Sequence, residues 1–345
     1  MKRICVIGHF GFGKNMLNGQ TIKTKLVTAE LEKQYGTNQV STIDSHGGLK
    51  VLFKISFQML KSFIQCENII ILPAHNGIKF FVPMCVLFRF FFHRKIHYVV
   101  IGGWLPSYLE NRKVLTRFLK NFDGIFVETN NMKKSFEDKA FENVEILYNF
   151  KDLKIVDKSE LMSGASVPYR VCTFSRVMRE KGIEDAVEVI KEINEKNKKT
   201  VYELDIYGQV DENEVEWFQS LQKSFPDYVC YKGSVNANES VDVLKNYFAL
   251  LFPTHFYTEG IPGTILDGYA SGLPVISARW NSFADVVDDK KTGLGFEFGN
   301  TDDLKKVLED VMTNPELIDR MREQCLIKAQ EYLPEVAIMS LIAKL

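Results

Sequence analysis

No Cys-x-x-C pair occurs in this 345-residue chain, and its six cysteines, Cys5, Cys66, Cys85, Cys172, Cys230 and Cys325, lie far apart. That scatter excludes a zinc ribbon or a redox dithiol and reads as small core residues in a reducing compartment. Asp-x-Asp is absent too, so no paired carboxylates stand ready to hold a metal on a diphosphate. No apolar run reaches the roughly 20 residues that a spanning helix needs. The most apolar segment, residues 78–95, is interrupted by Arg89. It reads either as a helix packed between sheet and neighbouring helix or as an interfacial helix, its Phe-rich face and flanking Arg94 and Lys95 resting on anionic lipid. The start, MKRICVIGHFG, suits a first buried strand better than a signal peptide. The expected location is therefore cytoplasmic, with peripheral attachment to the inner face of the cytoplasmic membrane as the extension of the interfacial reading.

Net charge is −1 over the whole chain, but the halves differ. Residues 1–160 carry 23 Lys+Arg against 14 Asp+Glu, and residues 161–345 carry 20 against 30. A basic first half suits an anionic partner or surface, although a solvated face has the same composition. Nucleic-acid binding has no supporting motif.

Continuous apolar runs alternate with amphipathic helical spacers throughout: RICVIG, QVSTID, NIIILPA, IHYVVIGG and GIFVET, then YRVCTFS, YELDIYG, DYVCYKG, ALLFP and LPVIS. Unbroken apolarity implies burial on both faces, and helix-length spacers imply parallel crossovers. The fold class is α/β, a doubly wound Rossmann-like domain present twice, the two facing each other across a cleft. Charges, Ser163, Gly164 and Pro168 break the rhythm between residues 148 and 170 and mark the linker. The expected division is residues 1–160, residues 168–330, and a bent helix, residues 331–345, packing back toward the first domain.

GHFGFGKN, after the first strand, nearly makes a phosphate loop, but Asn15 stands where a metal-ligating hydroxyl belongs and Met16 where a dinucleotide loop has its third glycine. What remains is a flexible loop, with Gly13, Asn18, Gly19 and Gln20 able to approach a ligand. His93 and His97 are four apart, yet the second belongs to the next strand and no third ligand follows, so no metal is expected. The cations of FSRVMREKG are better placed: Arg176 and Lys181 follow the first strand of the second domain, at the sheet edge where ligands bind. In TEGIPGTILDGYASGLPVIS, Glu259 precedes the loop Gly260, Ile261, Pro262, Gly263, and amides near Gly263 and Thr264 open a helix that carries Asp267. A diphosphate between the cations and the helix start, a ribose at Asp267 and a hexose at Glu259 would use every group. The object held is then a nucleotide diphosphosugar. Ordinary loop and helix-start acids are the alternative for Glu259 and Asp267.

At these residues the chain resembles glycosyltransferase family 4, retaining enzymes of the GT-B fold. EGIPGTILDGYASGLPVI is similar to the family segment EGFPLVLLEAMASGLPVI, with Asp267 at the second acid, and SRVMREKG resembles G-R-L-x-x-E-K-G. VETNNM, ILYNFKD, LDIYGQV and VCYKGSV resemble further family segments. The resemblance implies that Arg176 and Lys181 bind the donor diphosphate, Asp267 the ribose and Glu259 the sugar, with Gly208, Gly233, Ser234 and Val235 around the base. Asp for Glu at 267 shortens reach by about 1.5 Å. Many members have a His where Gly102 stands in VVIGGWLP. The expected activity is metal-independent transfer of a sugar from a nucleotide diphosphosugar, UDP-sugar foremost, to a hydroxyl of a glycan or lipid-diphosphate-linked saccharide, as in capsule or other cell-envelope polysaccharide assembly. Catalysis falls to Glu259, Arg176 and Lys181, with no cofactor. Gly102, Gly103 and Trp104, with the first loop, are expected at the acceptor. The rival readings are a non-catalytic sugar-nucleotide-binding subunit and a nucleotide-sugar epimerase.

Overall fold

A computed structural model describes residues 2–13, 19–47 and 51–345. The chain divides into two compact units, Met1–Lys151 with Leu333–Leu345, and Asp152–Tyr332. The division falls at Lys151 rather than at 160, because the segment after it bonds within the second unit. Val156 N–H donates to Ala270 O at 2.9 Å, and Lys245 Nζ meets Glu160 Oε2 at 2.8 Å.

The first unit runs β1 (Lys2–Gly8), α1 (Gly19–Tyr35), β2 (Val40–Asp44), α2 (Leu52–Gln65), β3 (Cys66–Leu72), α3 (Ile78–Phe92), β4 (Lys95–Val99), α4 (Leu105–Tyr108), α5 (Lys113–Leu119), β5 (Gly124–Val127), α6 (Asn130–Glu137) and β6 (Val144–Ile146). Its strands form one parallel sheet in the order β2-β1-β3-β4-β5-β6. Alternate side chains of each strand serve opposite faces. Cys5, Ile7, Ile69, Ile71, Ile96 and Tyr98 pack with α2, α3, α5 and α6. Ile4, Val6, Ile70, Leu72, Val99 and Phe126 pack instead with Val27 and Leu31 of α1 and with Ala337, Ile338 and Leu341 from the end of the chain.

The second unit runs β7 (Tyr169–Phe174), α7 (Ile183–Asn197), β8 (Tyr202–Tyr207), α8 (Val215–Gln222), β9 (Val229–Gly233), α9 (Ser240–Leu244), β10 (Ala249–Phe252), α10 (Gly263–Ala270), β11 (Val275–Ala278), α11 (Phe283–Val286), β12 (Gly293–Phe296), α12 (Thr301–Thr313) and α13 (Glu316–Ala329). Helices α14 (Pro334–Ala337) and α15 (Met339–Ile342) follow, in the first unit. This sheet too is parallel, ordered β12-β11-β10-β7-β8-β9. From β7 the order grows toward β8 on one side and toward β10 on the other. The loops after β7 and β10 therefore flank the switch point, the place where open parallel sheets receive ligands.

Two edge strands, β6 and β12, add to the ten expected. Five cysteines are buried, and Cys230, on edge strand β9, is exposed. Among the described residues no helix is long and apolar enough to cross a membrane.

Candidate functional site

Three loops of the second unit are joined at the carboxyl edge of the sheet. Beyond β7, Ser175 N–H donates to Tyr207 O at 3.2 Å and Val177 N–H to Gln209 O at 2.9 Å, so the segment carrying Arg176 continues alongside the loop after β8. Gly208 N–H donates to Gly233 O at 2.8 Å, which adds the loop after β9. Gly208 has φ +134°, and a Cβ there would lie 1.8 Å from Ser175 O. Only glycine lets these backbones meet. Gly233, at φ +77°, faces open space, Ser234 is exposed and Val235 is half-buried.

Across the switch point the loop after β10 is tied to the loop after β7. His255 N–H donates to Glu180 O at 2.8 Å, and Thr254 Oγ1 lies 3.4 Å from the same oxygen. This closure brings Lys181 Nζ into an ion pair with Glu259 Oε1, each side chain only 17% exposed. Thr254 Oγ1 donates to that carboxylate oxygen at 3.4 Å, and the Lys181 ammonium sits 4.8 Å from the Phe256 ring centre and 5.6 Å from that of Phe252. The cation is thus held over two aromatic faces and against one acid.

Arg176 is engaged differently. Its Nη1 lies 3.3 Å from Asp211 Oδ2, and half of the side chain is exposed. Asp211 titrates below the ordinary carboxylate range, chiefly because the Asn213 N–H donates to it, with the Asn213 amide and Arg176 assisting. The structure joins Lys181 to Glu259 and gives Arg176 a partner of its own, Asp211.

Helix α10 starts at Gly263 after an extended Pro262. Thr264 Oγ1, on its first turn, is buried with no hydrogen-bond partner. Asp267, one turn further along the helix, is 4% exposed. Gly260, Ile261 and Pro262 connect Glu259 to the helix; Ile261 is buried. Gly272, at φ +66°, ends the helix turn, and buried Arg322 donates to Gly272 O, Tyr247 O and Phe248 O at 3.1 to 3.3 Å, fixing α13 beneath α10.

In the first unit, Asn18 and the rest of residues 14–18 lie outside the described residues. Gly13 takes φ +80° with open space around it, and Gly19 and Gln20 begin α1. Gln20 Nε2 donates to Leu72 O at 3.3 Å. The glycine-rich turn already holds an anion of its own: Phe10 N–H and Phe12 N–H donate to Asp44 at 2.9 and 3.0 Å, and His46 N–H adds a third bond at 2.9 Å. Burial pushes the Asp44 pKa up, but the N–H groups of His46, Phe12, Phe10 and Gly11 outweigh it and hold the acid ionised. Those amides are filled by the carboxylate rather than left for a phosphate.

Gly102 adopts φ +72°, a conformation a His would take only with strain. Gly103 and Trp104 follow in the same turn. The Trp104 indole donates to Ile101 O at 2.9 Å, stacks on His75 with ring centres 3.9 Å apart and meets Tyr108 edge-on at 5.2 Å. One face of the indole is therefore covered by an imidazole that no sequence motif marks. A second such group is His9, whose Nδ1 lies 2.8 Å from Thr21 Oγ1 and Nε2 3.0 Å from His46 Nδ1 at the ends of β1 and β2. His93 closes α3 with φ 50°, whereas His97 is buried in β4, so the two imidazoles share no face. No cluster of three or more His, Cys, Asp or Glu among the described residues converges as a metal site.

Comparison with known proteins follows the same division. Residues 165–326 match the family model Glycosyl transferases group 1. An uncharacterized glycosyltransferase of Methanocaldococcus jannaschii is 26% identical over 175 residues, which are 51% of this chain and 43% of that protein. The chain thus spans under half the length of that curated relative. Among solved structures, the Anabaena protein HepE in complex with UDP and glucose superposes with a TM-score of 0.72 at 12% identity, with full coverage of both chains. Sucrose-phosphate synthase of Thermosynechococcus elongatus gives 0.75 at 13% identity over 99% of this chain and 98% of that one. The lipopolysaccharide outer core galactosyltransferase WaaB gives 0.71 at 16% over 99% and 98%. The chain has the two Rossmann-like domains of the GT-B fold, and within the second its residues 165–326 are similar to glycosyl transferases group 1.

Proposed function

We propose that this protein is a retaining, metal-independent glycosyltransferase that moves a sugar from a nucleotide diphosphosugar, UDP-sugar foremost, to a hydroxyl of a glycan or lipid-diphosphate-linked saccharide. The observation that carries the reading is the Lys181–Glu259 pair at the switch point of a domain similar to glycosyl transferases group 1, a cation and an acid held together over aromatic rings where a ligand enters. HepE, of similar fold, was solved with UDP and glucose. We assign donor binding to the second unit, Asp152–Tyr332, and acceptor binding to the first, Met1–Lys151 with Leu333–Leu345.

The donor's C1–O bond breaks with its electron pair passing to the diphosphate, and the acceptor oxygen bonds to C1 on the same face. The acceptor proton passes to the departing phosphate oxygen. Lys181 and Arg176 stabilise the growing diphosphate charge, and a lost donor of this type typically costs ~3 to 4 kcal/mol of barrier. In this reading the diphosphate competes with Glu259 for Lys181, and Glu259, so released, accepts hydrogen bonds from the sugar hydroxyls. The buried Thr264 hydroxyl and the amino end of α10 give the phosphate further donors. Asp267 takes the ribose, and the loops at Gly208, Gly233, Ser234 and Val235 take the base.

The test is incubation of the chain with UDP-, GDP- and ADP-sugars, with and without a lipid-linked saccharide and with and without a chelator. Release of nucleotide diphosphate that survives chelation, with an unchanged anomeric configuration in the product, is expected. Epimerised sugar without nucleotide release would make the protein an isomerase. No turnover, together with thermal stabilisation by a nucleotide diphosphate, would make it a binding subunit.

A further inference from the structure

Of the eleven large apolar side chains exposed among the described residues of the first unit, seven gather on helices α2, α3 and α5, on one side of its sheet. Phe53 (90% exposed), Phe57 (68%) and Ile64 line the outer face of α2, and Leu87, Phe90 (77%) and Phe91 (63%) that of α3, with Val114 on α5. The inner faces of the same helices are buried in the core through Ile55, Met59, Phe63, Val82, Cys85 and Leu115. These helices are thus apolar on two sides, which a water-facing helix is not. Leu52–Gln65, Ile78–Phe92 and Lys113–Leu119 contain no Asp or Glu, yet carry Lys54, Lys61, Lys79, Arg89, Lys113 and Arg117. Arg89 is paired with Asp123 at 2.9 Å, and Lys54, Lys61, Lys79, Lys113 and Arg117 are exposed. Between α3 and α5 a cavity of about 590 Å³ has Pro83, Val114, Leu115 and Phe118 in its walls, and the cations Lys79, Arg112 and Lys113 outnumber the one acid, Glu110, in its lining.

We propose that α2, α3 and α5 together form a docking face for an anionic lipid bilayer, with the phenylalanines entering the headgroup boundary and the lysines and arginines taking lipid phosphates. Charge decides between occupants. A second copy would bring the same acid-free, cationic helices against these and repel them, whereas an anionic surface complements them. The phenylalanines supply the apolar contact that a single amphipathic element gives only weakly, and the α3–α5 cavity suits the phosphate and upper acyl carbons of one lipid. This extends the reading of a lipid-linked acceptor but stands on a different surface, so its test reads no sugar transfer.

The test is co-flotation of the full chain with vesicles of neutral phosphatidylcholine and with vesicles about one-third anionic at low and high salt. Binding to the anionic vesicles alone, weakened by salt, is expected. Lys54→Gln with Lys61→Gln should lower that binding about 25-fold, roughly fivefold for each cation near the surface. Phe53→Ser with Phe57→Ser should lower it at least tenfold while salt sensitivity remains. Because all four side chains are exposed, both variants should keep the thermal transition of the parent. No binding to anionic vesicles, equal binding by the parent and both variants, or a dimer in solution dissolved by the phenylalanine substitutions would overturn the proposal.

Discussion

The carbonyl oxygen of Pro253 stands 1.9 Å from where a Cβ on residue 182 would be. Gly182 takes φ +67° there, between the turn that ends at Lys181 and helix α7. A side chain at this position must push the β10 loop, and Glu259 with it, away from the β7 loop. Gly182→Ala should therefore destabilise the second unit by about 1 to 3 kcal/mol from the backbone conformation alone. It should also weaken nucleotide binding by more than its loss of stability explains. Urea unfolding and calorimetric titration with UDP measure the two effects.

Lys181 and Arg176 should not be equivalent. Lys181 is mostly enclosed and fixed against Glu259 and two rings, whereas Arg176 is half exposed and its Asp211 partner lies beside solvent. Lys181→Met should lower kcat about 10²- to 10³-fold. Arg176→Ala should cost less and act chiefly on donor KM. Glu259→Gln should lower kcat while leaving the affinity for free nucleotide diphosphate unchanged or raised, because it releases the lysine. Equal losses in Lys181→Met and Arg176→Ala would contradict the unequal roles.

Acid should cost the first unit stability through His97. Its ring is fully buried with neither nitrogen hydrogen-bonded, and burial lowers its pKa to about 4. The unfolded chain binds the His proton below about 6.5, the folded chain only below about 4, so this stability is complete above pH 6.5 and is lost as pH falls to 4. The loss is about 3 kcal/mol for a shift of this size. His97→Leu should flatten that part of the profile in urea melts taken from pH 7 to pH 4.

The stacked pair His75 and Trp104 offers an optical readout. Burial first, then Arg112 and Lys79, hold His75 below its ordinary pKa of 6.5. A protonated imidazole quenches an indole beneath it, so tryptophan fluorescence should fall as pH drops below 6.5. His75→Ala should abolish the step, and a saccharide that displaces His75 from the ring should do the same.

Much of this was legible. Ten strands announced themselves as unbroken apolar runs, because a strand covered on both faces has no polar side to show. Edge strands β6 and β12 did not, since VEI is three residues long with Glu145 at its centre and GLGF is half glycine. The positions of Lys181 and Glu259 at the sheet edge followed from the order of runs and turns. Their direct pairing did not, because they are 78 residues apart and only the closure of two loops brings them together. Lys23 belongs to no sequence motif, yet it is 2% exposed, 3.7 Å from buried Glu128 and 3.0 Å from Tyr148 O, with burial lowering its pKa to about 8. Asp44 similarly fills a glycine-rich turn from the next strand, a long-range event that local spacing does not encode.

Leu333–Leu345 completes the unit that begins at Met1. Translation proceeds from the amino end, and domains fold as they emerge. Asp152–Tyr332 is one uninterrupted piece and is able to mature while the ribosome still holds the remainder. The earlier-made sheet must wait, its Ile4, Val6 and Ile70 side left without Ala337, Ile338 and Leu341 until residues 333–345 have been added. The unit begun first is completed after the one that follows it.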